Sequence, residues 1–226
     1  MENLPKYTVY RSSRRSIRLV LRPNGSLSVY CPKRCPIKDI EEMIKRHFKE
    51  MQEKFNSRAD ALFKTVNGQI TLPLLGTRYP VVSKKVKKLS FDGASFISPT
   101  ESIEALRPLY REFLREQAKM IIPAVANEIS ESFGLSYNGL TVKAIYSRYG
   151  SCSAKKHLNF SLALAAFDME FIRFVISHEL CHTAHMNHGQ GFYSLLGKVY
   201  PEHRLVQANG ARERSAILKA IFFSPA

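Results

Sequence analysis

Apolar and polar residues alternate along the first third of the chain, a pattern that is typical of β-strands. The alternation predicts strands at residues 7–11, 17–22 and 26–30, with a turn at Pro23-Asn24-Gly25. The apolar spacing then changes to that of a helix at about residues 37–55. The apolar stripe of this helix consists of Met43, Ile44, Phe48, Met51 and Phe55. We therefore expect antiparallel β-hairpins followed by a helix.

The middle of the chain predicts more short strands and then one long helix. The strands are expected at residues 69–72, 77–84 and 89–97, with a turn at Asp92-Gly93. An amphipathic helix is predicted at residues 102–133, with a kink at Pro123 and a C-cap at Gly134.

The last third predicts a small sheet and several helices. Strands are expected at residues 140–146 and 158–164, on either side of a turn at Gly150. A helix should begin near Asp168, whose carboxylate suits an N-cap, and further helices are predicted at 191–199 and 203–222. The predicted class is α+β, divided into a β-rich region at residues 1–99 and a mainly helical region at residues 100–226.

The charge of the chain is strongly positive and unevenly distributed. The 226 residues include 34 Lys and Arg against 19 Asp and Glu, and residues 1–90 hold 20 of the basic but only 7 of the acidic side chains. Such a surplus attracts polyanions, so nucleic acid or a nucleotide is a candidate partner of the N-terminal half. No RNA-binding or helix-turn-helix signature accompanies the charge.

Two further features bear on where the protein functions. No apolar run approaches the ~18 residues of a transmembrane helix, and the first six residues lack the apolar core of a signal peptide, so we expect a cytoplasmic protein. The four cysteines fit this location and are interpreted as buried free thiols; they are Cys31, Cys35, Cys152 and Cys181.

The strongest chemical signal is the run His178-Glu179-Leu180-Cys181-His182, which lies in an apolar, helix-compatible stretch. Positions four apart stack on one face of a helix, so both imidazoles can bind the same metal ion. Glu179 is rotated by roughly 100° from His178, beside the metal, where a general base can take a proton from water. The pattern predicts a zinc hydrolase, most simply a metallopeptidase.

A catalytic zinc ion usually has three protein ligands and one open position. His185 shares the helical face of the first two histidines, but seven residues of helix place it roughly 10 Å from His178, too far for one ion. A ligand beyond a bend fits better, and Asn187-His188-Gly189 supplies that bend. We therefore favour His188, and His185 remains the alternative. More distant candidates are Glu202, His203 and His157.

Several motifs resemble the YgjP-like family of metallopeptidases, which is related to the SprT-like and WLM zinc proteases. They are His178–His182, then Asn187-His188-Gly189 with Phe192-Tyr193, a second block from Ser147 to Leu164, and the run from Leu72 to Tyr79. The resemblance implies a zincin-like C-terminal half that acts on polypeptides, with Zn²⁺ on His178, His182 and His188 and with Glu179 as the base. The family usually has Trp at positions 149 and 193, where this chain has Tyr.

Other functions remain open at this point. YgjP-like proteins are also described as nucleotide pyrophosphatases, and SprT-like proteases act on proteins bound to nucleic acid. The chain lacks a P-loop and a carboxylate-rich magnesium site, which disfavours the pyrophosphatase. Arg148, Tyr149 and Tyr193 are candidates for stabilising an oxyanion, and the strand predicted at 158–164 could align an extended peptide if it is a sheet edge.

Overall fold

The computed structural model describes residues 4–22, 26–59 and 62–222, with residues 54–59 as backbone only. The predicted α+β class is confirmed, because this part of the chain forms six α-helices and three small sheets. The turn predicted at Pro23-Asn24-Gly25 and the side chain of Phe55 lie outside the described residues.

The N-terminal sheet consists of β1 (Tyr7–Ser12), β2 (Arg18–Leu21) and β3 (Leu27–Pro32), followed by α1 (Ile37–Ala59). β2 and β3 form the predicted antiparallel pair, but β1 differs from the expectation because it runs parallel to β3. β3 is the central strand and the most deeply buried of the three, since Leu27, Val29 and Cys31 pack with Ile40 and Ile44 of α1. An alternating pattern marks a strand without revealing the direction of its neighbour.

A second sheet of five strands follows. Its strands are β4 (Lys64–Val66), β5 (Gln69–Leu74), β6 (Thr77–Ser83), β7 (Ser90–Phe91) and β8 (Phe96–Ser98). β4 was not predicted, and the strand expected at 89–97 is interrupted by the predicted turn at Asp92-Gly93. There the Asp92 carboxylate accepts the backbone N–H groups of Ala94 and Ser95, at 3.0 and 2.8 Å.

The helix α2 (Ile103–Phe133) is the longest element and runs through both Pro108 and Pro123. It begins at the N-cap Ser102 and ends at Gly134, as the sequence predicted. Its buried residues pack against a 3-10 helix (Leu162–Ala166) and form the centre of the larger core. That core also contains Leu72, Leu74 and Phe96, so it extends across residue 99. The division of the chain at that residue stays a prediction.

The third sheet comprises β9 (Gly139–Lys143), β10 (Gly150–Cys152) and β11 (His157–Ser161) in the order β10-β11-β9. Two expectations were wrong here. The strand predicted at 158–164 ends at Ser161, whose hydroxyl accepts the N–H of Ala163 and starts the 3-10 helix. β11 is also central rather than an edge, because β10 covers one side of it and β9 the other.

Four helices complete the chain: α3 (Met169–Cys181), α4 (Gln190–Val199), α5 (His203–Ala208) and α6 (Ala211–Phe222). The single helix predicted at 203–222 is therefore two helices. They are separated at Gly210, which has a φ of 61° that favours glycine. No helix in residues 4–22, 26–59 and 62–222 is long and apolar enough to span a membrane.

Candidate metal centre

The helix α3 carries the first two histidines of the motif. Its N-cap is Asp168, as predicted, and the carboxylate accepts the N–H of Phe171 at 2.7 Å. Leu75 and Gly76, in the turn between β5 and β6, donate their N–H groups to Ala165 and Ala166 just before this cap. The start of α3 is therefore fixed both by its own N-cap and by hydrogen bonds from the β5–β6 turn. The helix ends at Cys181, and His182 follows as its C-cap while still in a helical conformation.

The chain then turns and returns towards the helix. The Nδ1–H of His182 donates to the backbone carbonyl of His185 at 3.0 Å, which leaves Nε2 of His182 as the potential ligand atom. His188 follows the turn, and its Nε2 lies 3.0 Å from Nε2 of His178. The structure thus brings His188, rather than the ring of His185, to the two helix histidines.

The ligand atoms of His178, His182 and His188 all lie within 4.8 Å of one another. Tetrahedral zinc with Zn–N bonds of ~2.0–2.1 Å places its nitrogens roughly 3.4 Å apart, so the cluster has suitable dimensions for one ion. Burial, together with the other histidines, lowers the pKa of His178 to about 4, and burial also lowers the pKa of His182. Neutral imidazoles are the form that binds metal.

A buried aromatic ring packs against all three histidines of the cluster. Phe192, on α4, is fully buried, and its ring centroid lies 4.9 Å from that of His178, 4.6 Å from that of His182 and 4.7 Å from that of His188. One apolar ring therefore contacts all three imidazoles and restricts how each can rotate. Tyr193, next to it, is exposed, with its ring 6.2 Å from the ring of His188.

Glu179 is 8% exposed, on the side of α3 that faces β10. Burial raises the pKa of its carboxyl group to about 7, against the opposing effects of the Arg148 charge and of a hydrogen bond from the Cys152 backbone. A Cβ atom on Gly150 would lie only 2.7 Å from Cγ and 3.0 Å from Oε1 of Glu179. The carboxylate therefore packs directly on the backbone of β10.

An open cleft of about 350 Å³ lies beside Glu179 and His178. One wall is apolar and includes Phe171, Phe174 and Val175. Two basic groups, Arg148 and Arg214, also line the cleft, and the Arg214 guanidinium stacks 3.9 Å from the centroid of the Phe171 ring. The cleft could accept an extended chain with an apolar side chain next to the candidate metal centre.

The structure leaves the other candidate ligands out of the histidine cluster. His157 contacts Thr141 on β9, with Nε2 2.8 Å from Oγ1, and Glu202 is the N-cap residue of α5. His203 is buried, and its Nδ1–H donates to the Tyr200 carbonyl at 3.1 Å. Tyr149 lines the same cleft as His178 and Glu179, and its ring packs edge-on against Phe171.

All four cysteines are free thiols, and three of them are buried. Burial raises the pKa of Cys181 to about 12, so its thiol is unreactive at neutral pH. Cys152 is half-buried, and burial together with the Glu179 charge raises its pKa. The contact of Cys152 with the site is made by its backbone N–H, which hydrogen-bonds to the Glu179 carboxylate.

The sequence did not predict the roles of Gly150 and Phe192. The sequence predicts a turn at Gly150, and it points to Phe192 only through the family resemblance. Both contacts join segments that are distant in the sequence, which local spacing does not reveal. The one available signal was that each residue belongs to a motif block shared with the YgjP-like family.

The helix-borne histidine cluster, the adjacent buried carboxylate and the open cleft are the features of a metal-dependent peptidase. A family model described as "YgjP-like, metallopeptidase domain" matches residues 15–209. The chain belongs to the YgjP-like family of metallopeptidases, which confirms the resemblance seen in the sequence.

A solved structure is also similar to part of the chain. It is the crystal structure of the metallopeptidase zymogen of Methanocaldococcus jannaschii jannalysin, at 26% identity and a TM-score of 0.36. The match covers 40% of this chain and 94% of that one. A comparison with curated proteins finds no match.

Gly150→Ala should impair catalysis while leaving the metal in place. The added methyl group would overlap the Glu179 side chain, so the carboxylate must move from its position against β10. We expect kcat/KM on a peptide substrate to fall by about 100-fold, because misplacing a catalytic group by ~1 Å has an effect of this size. Bound metal, measured by mass spectrometry, should be unchanged.

Gly139→Ala is the matched control. A Cβ atom there would lie 2.8 Å from Nδ1 of His157, so it creates a comparable overlap in the same sheet. The His157 ring lies outside the histidine cluster, and activity should stay within about twofold of the parent enzyme. Equal losses in the two variants would show that Gly150 acts through the stability of the sheet.

Proposed function

We propose that this protein is a zinc metallopeptidase in which His178, His182 and His188 hold the metal and Glu179 is the general base. One observation carries the proposal: three imidazoles converge within 4.8 Å, and a buried carboxylate lies beside them at the edge of a cleft. A structural zinc site usually uses four protein ligands, whereas this cluster offers three.

The histidines fit zinc in number, donor type and spacing. Three nitrogen ligands with an open fourth position are typical of zinc hydrolases, and the hydrogen bond from His182 to the His185 carbonyl fixes one ring in its metal-binding tautomer. A zinc ion held there would supply a Lewis acid that makes water more acidic and polarises a peptide carbonyl.

The chain's own contribution to the reaction is a proton acceptor in a fixed position. Oε1 of Glu179 would take a proton from the attacking water and later give it to the leaving amine. The backbone of Gly150 and the N–H of Cys152 prevent the carboxylate from rotating away. Burial favours proton uptake, while a bound cation would act in the opposite direction by stabilising the ionised form.

We propose that β10 aligns the substrate. Ser161 N–H donates to the Tyr149 carbonyl, and Ser153 N–H donates to the His157 carbonyl, so these positions of the β10 segment face β11. Peptide groups of alternate residues point to opposite edges of a strand, so those of Gly150 and Cys152 point away from β11. Gly150 lines the cleft, where an extended substrate could pair with its backbone.

The cleft favours a polypeptide over a nucleoside triphosphate. Its apolar wall suits a peptide side chain, and within the described ranges the histidine cluster is the one grouping of three or more potential metal ligands. A pyrophosphatase would need carboxylates to bind magnesium next to the phosphates. A peptidase acting on nucleic-acid-bound proteins, as in SprT-like relatives, is compatible with the same cleft.

A substrate panel tests the function. Zinc-loaded protein should cleave an unfolded casein, and a chelator should abolish the cleavage, which added zinc should restore. Pyrophosphate release from nucleoside triphosphates should stay at background. The reverse pattern, release of pyrophosphate without proteolysis, would refute the peptidase and support the alternative.

A further inference from the structure

The N-terminal sheet has one face that α1 leaves uncovered. On β3, Leu27, Val29 and Cys31 point into the core formed with α1. The side chains between them point to the opposite face, because successive residues of a strand alternate. Ser28 and Tyr30 therefore belong to this second face.

Two tyrosines form the centre of this face. Tyr10 on β1 is the register partner of Tyr30 on β3, and their rings stack with centroids 5.0 Å apart at an angle of 18°. Tyr10 is 46% exposed, so one face of its ring can be reached by a ligand. The Arg14 guanidinium lies 5.8 Å from the Tyr30 centroid. We call Tyr10, Tyr30, Arg14, Arg18 and Arg22 the tyrosine face.

Arg22 holds the tyrosine face in a fixed geometry. Its Nε donates to the Ser28 hydroxyl at 3.1 Å, one Nη donates to the Tyr146 hydroxyl at 2.9 Å, and the other donates to the Tyr30 hydroxyl. An open cleft of about 400 Å³ borders these residues; its lining includes Thr8, Tyr10, Arg22, Ser28, Tyr146 and Phe222. The face is therefore preorganised, and Tyr146 connects it to the loop that precedes β10.

The segment that forms the N-terminal sheet carries charge of one sign. Residues 4–38 contain nine Lys and Arg and no Asp or Glu. Arg18 is the register partner of Tyr30 on β2, and its side chain is exposed. An exposed ring among cations on a sheet can stack on a base while the arginines neutralise the flanking phosphates.

We propose that the tyrosine face binds single-stranded nucleic acid. An acidic peptide would satisfy the arginines but offers a π-face to an exposed tyrosine only where it has an aromatic residue, whereas every nucleobase offers one. A duplex keeps its bases stacked inside, so it would meet only the charges. This site is separate from the metal centre and does not depend on the proposed peptidase activity.

Fluorescence anisotropy with the full-length protein tests the proposal. The probes are labelled oligothymidylate and oligouridylate of about 20 nucleotides, longer than the ~4–16 nucleotides that sheet-based sites occupy. Both strands should bind, and the difference between them reports the preference for DNA or RNA. Tyr10→Ala should weaken binding by about tenfold, and Tyr10→Phe should preserve it, because stacking needs the ring and not the hydroxyl.

Two matched variants test whether binding needs the tyrosine face itself, and not merely any exposed ring or any surface charge. Phe133 at the end of α2 is 45% exposed, and Phe133→Ala should leave the affinity unchanged. Arg18→Gln should reduce the slope of log K against log salt by about 0.7, the value for one phosphate contact on a single strand, and Lys85→Gln should not. Thermal melting checks that each variant is folded.

Any of the following results would overturn the proposal. These are no binding at low salt, equal weakening by Arg18→Gln and Lys85→Gln, or unchanged binding in a folded Tyr10→Ala variant. Equally tight binding of a duplex would also contradict it, since duplex DNA offers no open base to Tyr10.

Discussion

Glu179→Gln should lose nearly all peptidase activity and keep its zinc. Glutamine has the same shape, so it can occupy the space against Gly150, but its neutral amide cannot accept a proton. We expect kcat/KM to fall by roughly 10²–10⁴-fold, the usual contribution of a general base. Metal content should remain at one zinc per chain, measured by mass spectrometry alongside peptide cleavage.

Glu170→Gln is the control for this experiment. Glu170 lies in the first turn of the same helix, is exposed and does not line the cleft, so the same change of charge occurs outside the site. Activity should stay within about twofold, because surface substitutions have small effects. If metal-replete Glu179→Gln protein kept parental activity, another group would have to be the base.

His188→Ala should lose zinc, and His185→Ala should not. Removing one of three ligands should weaken zinc binding by more than about 100-fold, since even the loss of a second-shell partner costs 10–100-fold. His185 contributes through its backbone carbonyl, which accepts the Nδ1–H of His182 and survives the change to alanine. Competition with a chromophoric zinc chelator measures both affinities.

Thermal stability provides a second measurement for the same pair. Zinc at 100 times its Kd would stabilise a zinc-binding fold by about 2.7 kcal/mol, so the parent and His185→Ala should melt at higher temperature when zinc is added. His188→Ala should show little of this shift. The opposite pattern, with zinc lost only from His185→Ala, would assign the third ligand to His185.

The spacing of the motif predicted that His178, His182 and His188 come together, as they do in the structure. The interval between His178 and His182 fixes their shared helical face, and the rise of a helix disfavoured His185 because seven residues extend too far. The structure accordingly ends the helix at Cys181 and returns the chain through a turn. These features follow from local geometry, which a sequence encodes directly.

The features that sequence did not predict are tertiary. The contact of Gly150 with Glu179 depends on how the third sheet packs against α3, and the position of Phe192 under three imidazoles depends on how α4 folds back. The parallel pairing of β1 with β3 has a similar origin, because an alternating strand fits either direction. Such contacts are set by the whole core, so no short window of residues contains them.

The turn between β5 and β6 limits how far this enzyme could be shortened. A Cβ atom on Gly76 would lie 2.8 Å from Cβ of Asp168, so this turn is pressed against the first residue of the histidine-bearing helix. A cut near residue 100 would remove the contact between this turn and Asp168 from the helical part of the chain. A shortened enzyme would therefore have to retain residues 62–98, which contain this turn. Substitutions in the β5–β6 hairpin would act on the histidines through α3, because the turn contacts the N-cap of that helix.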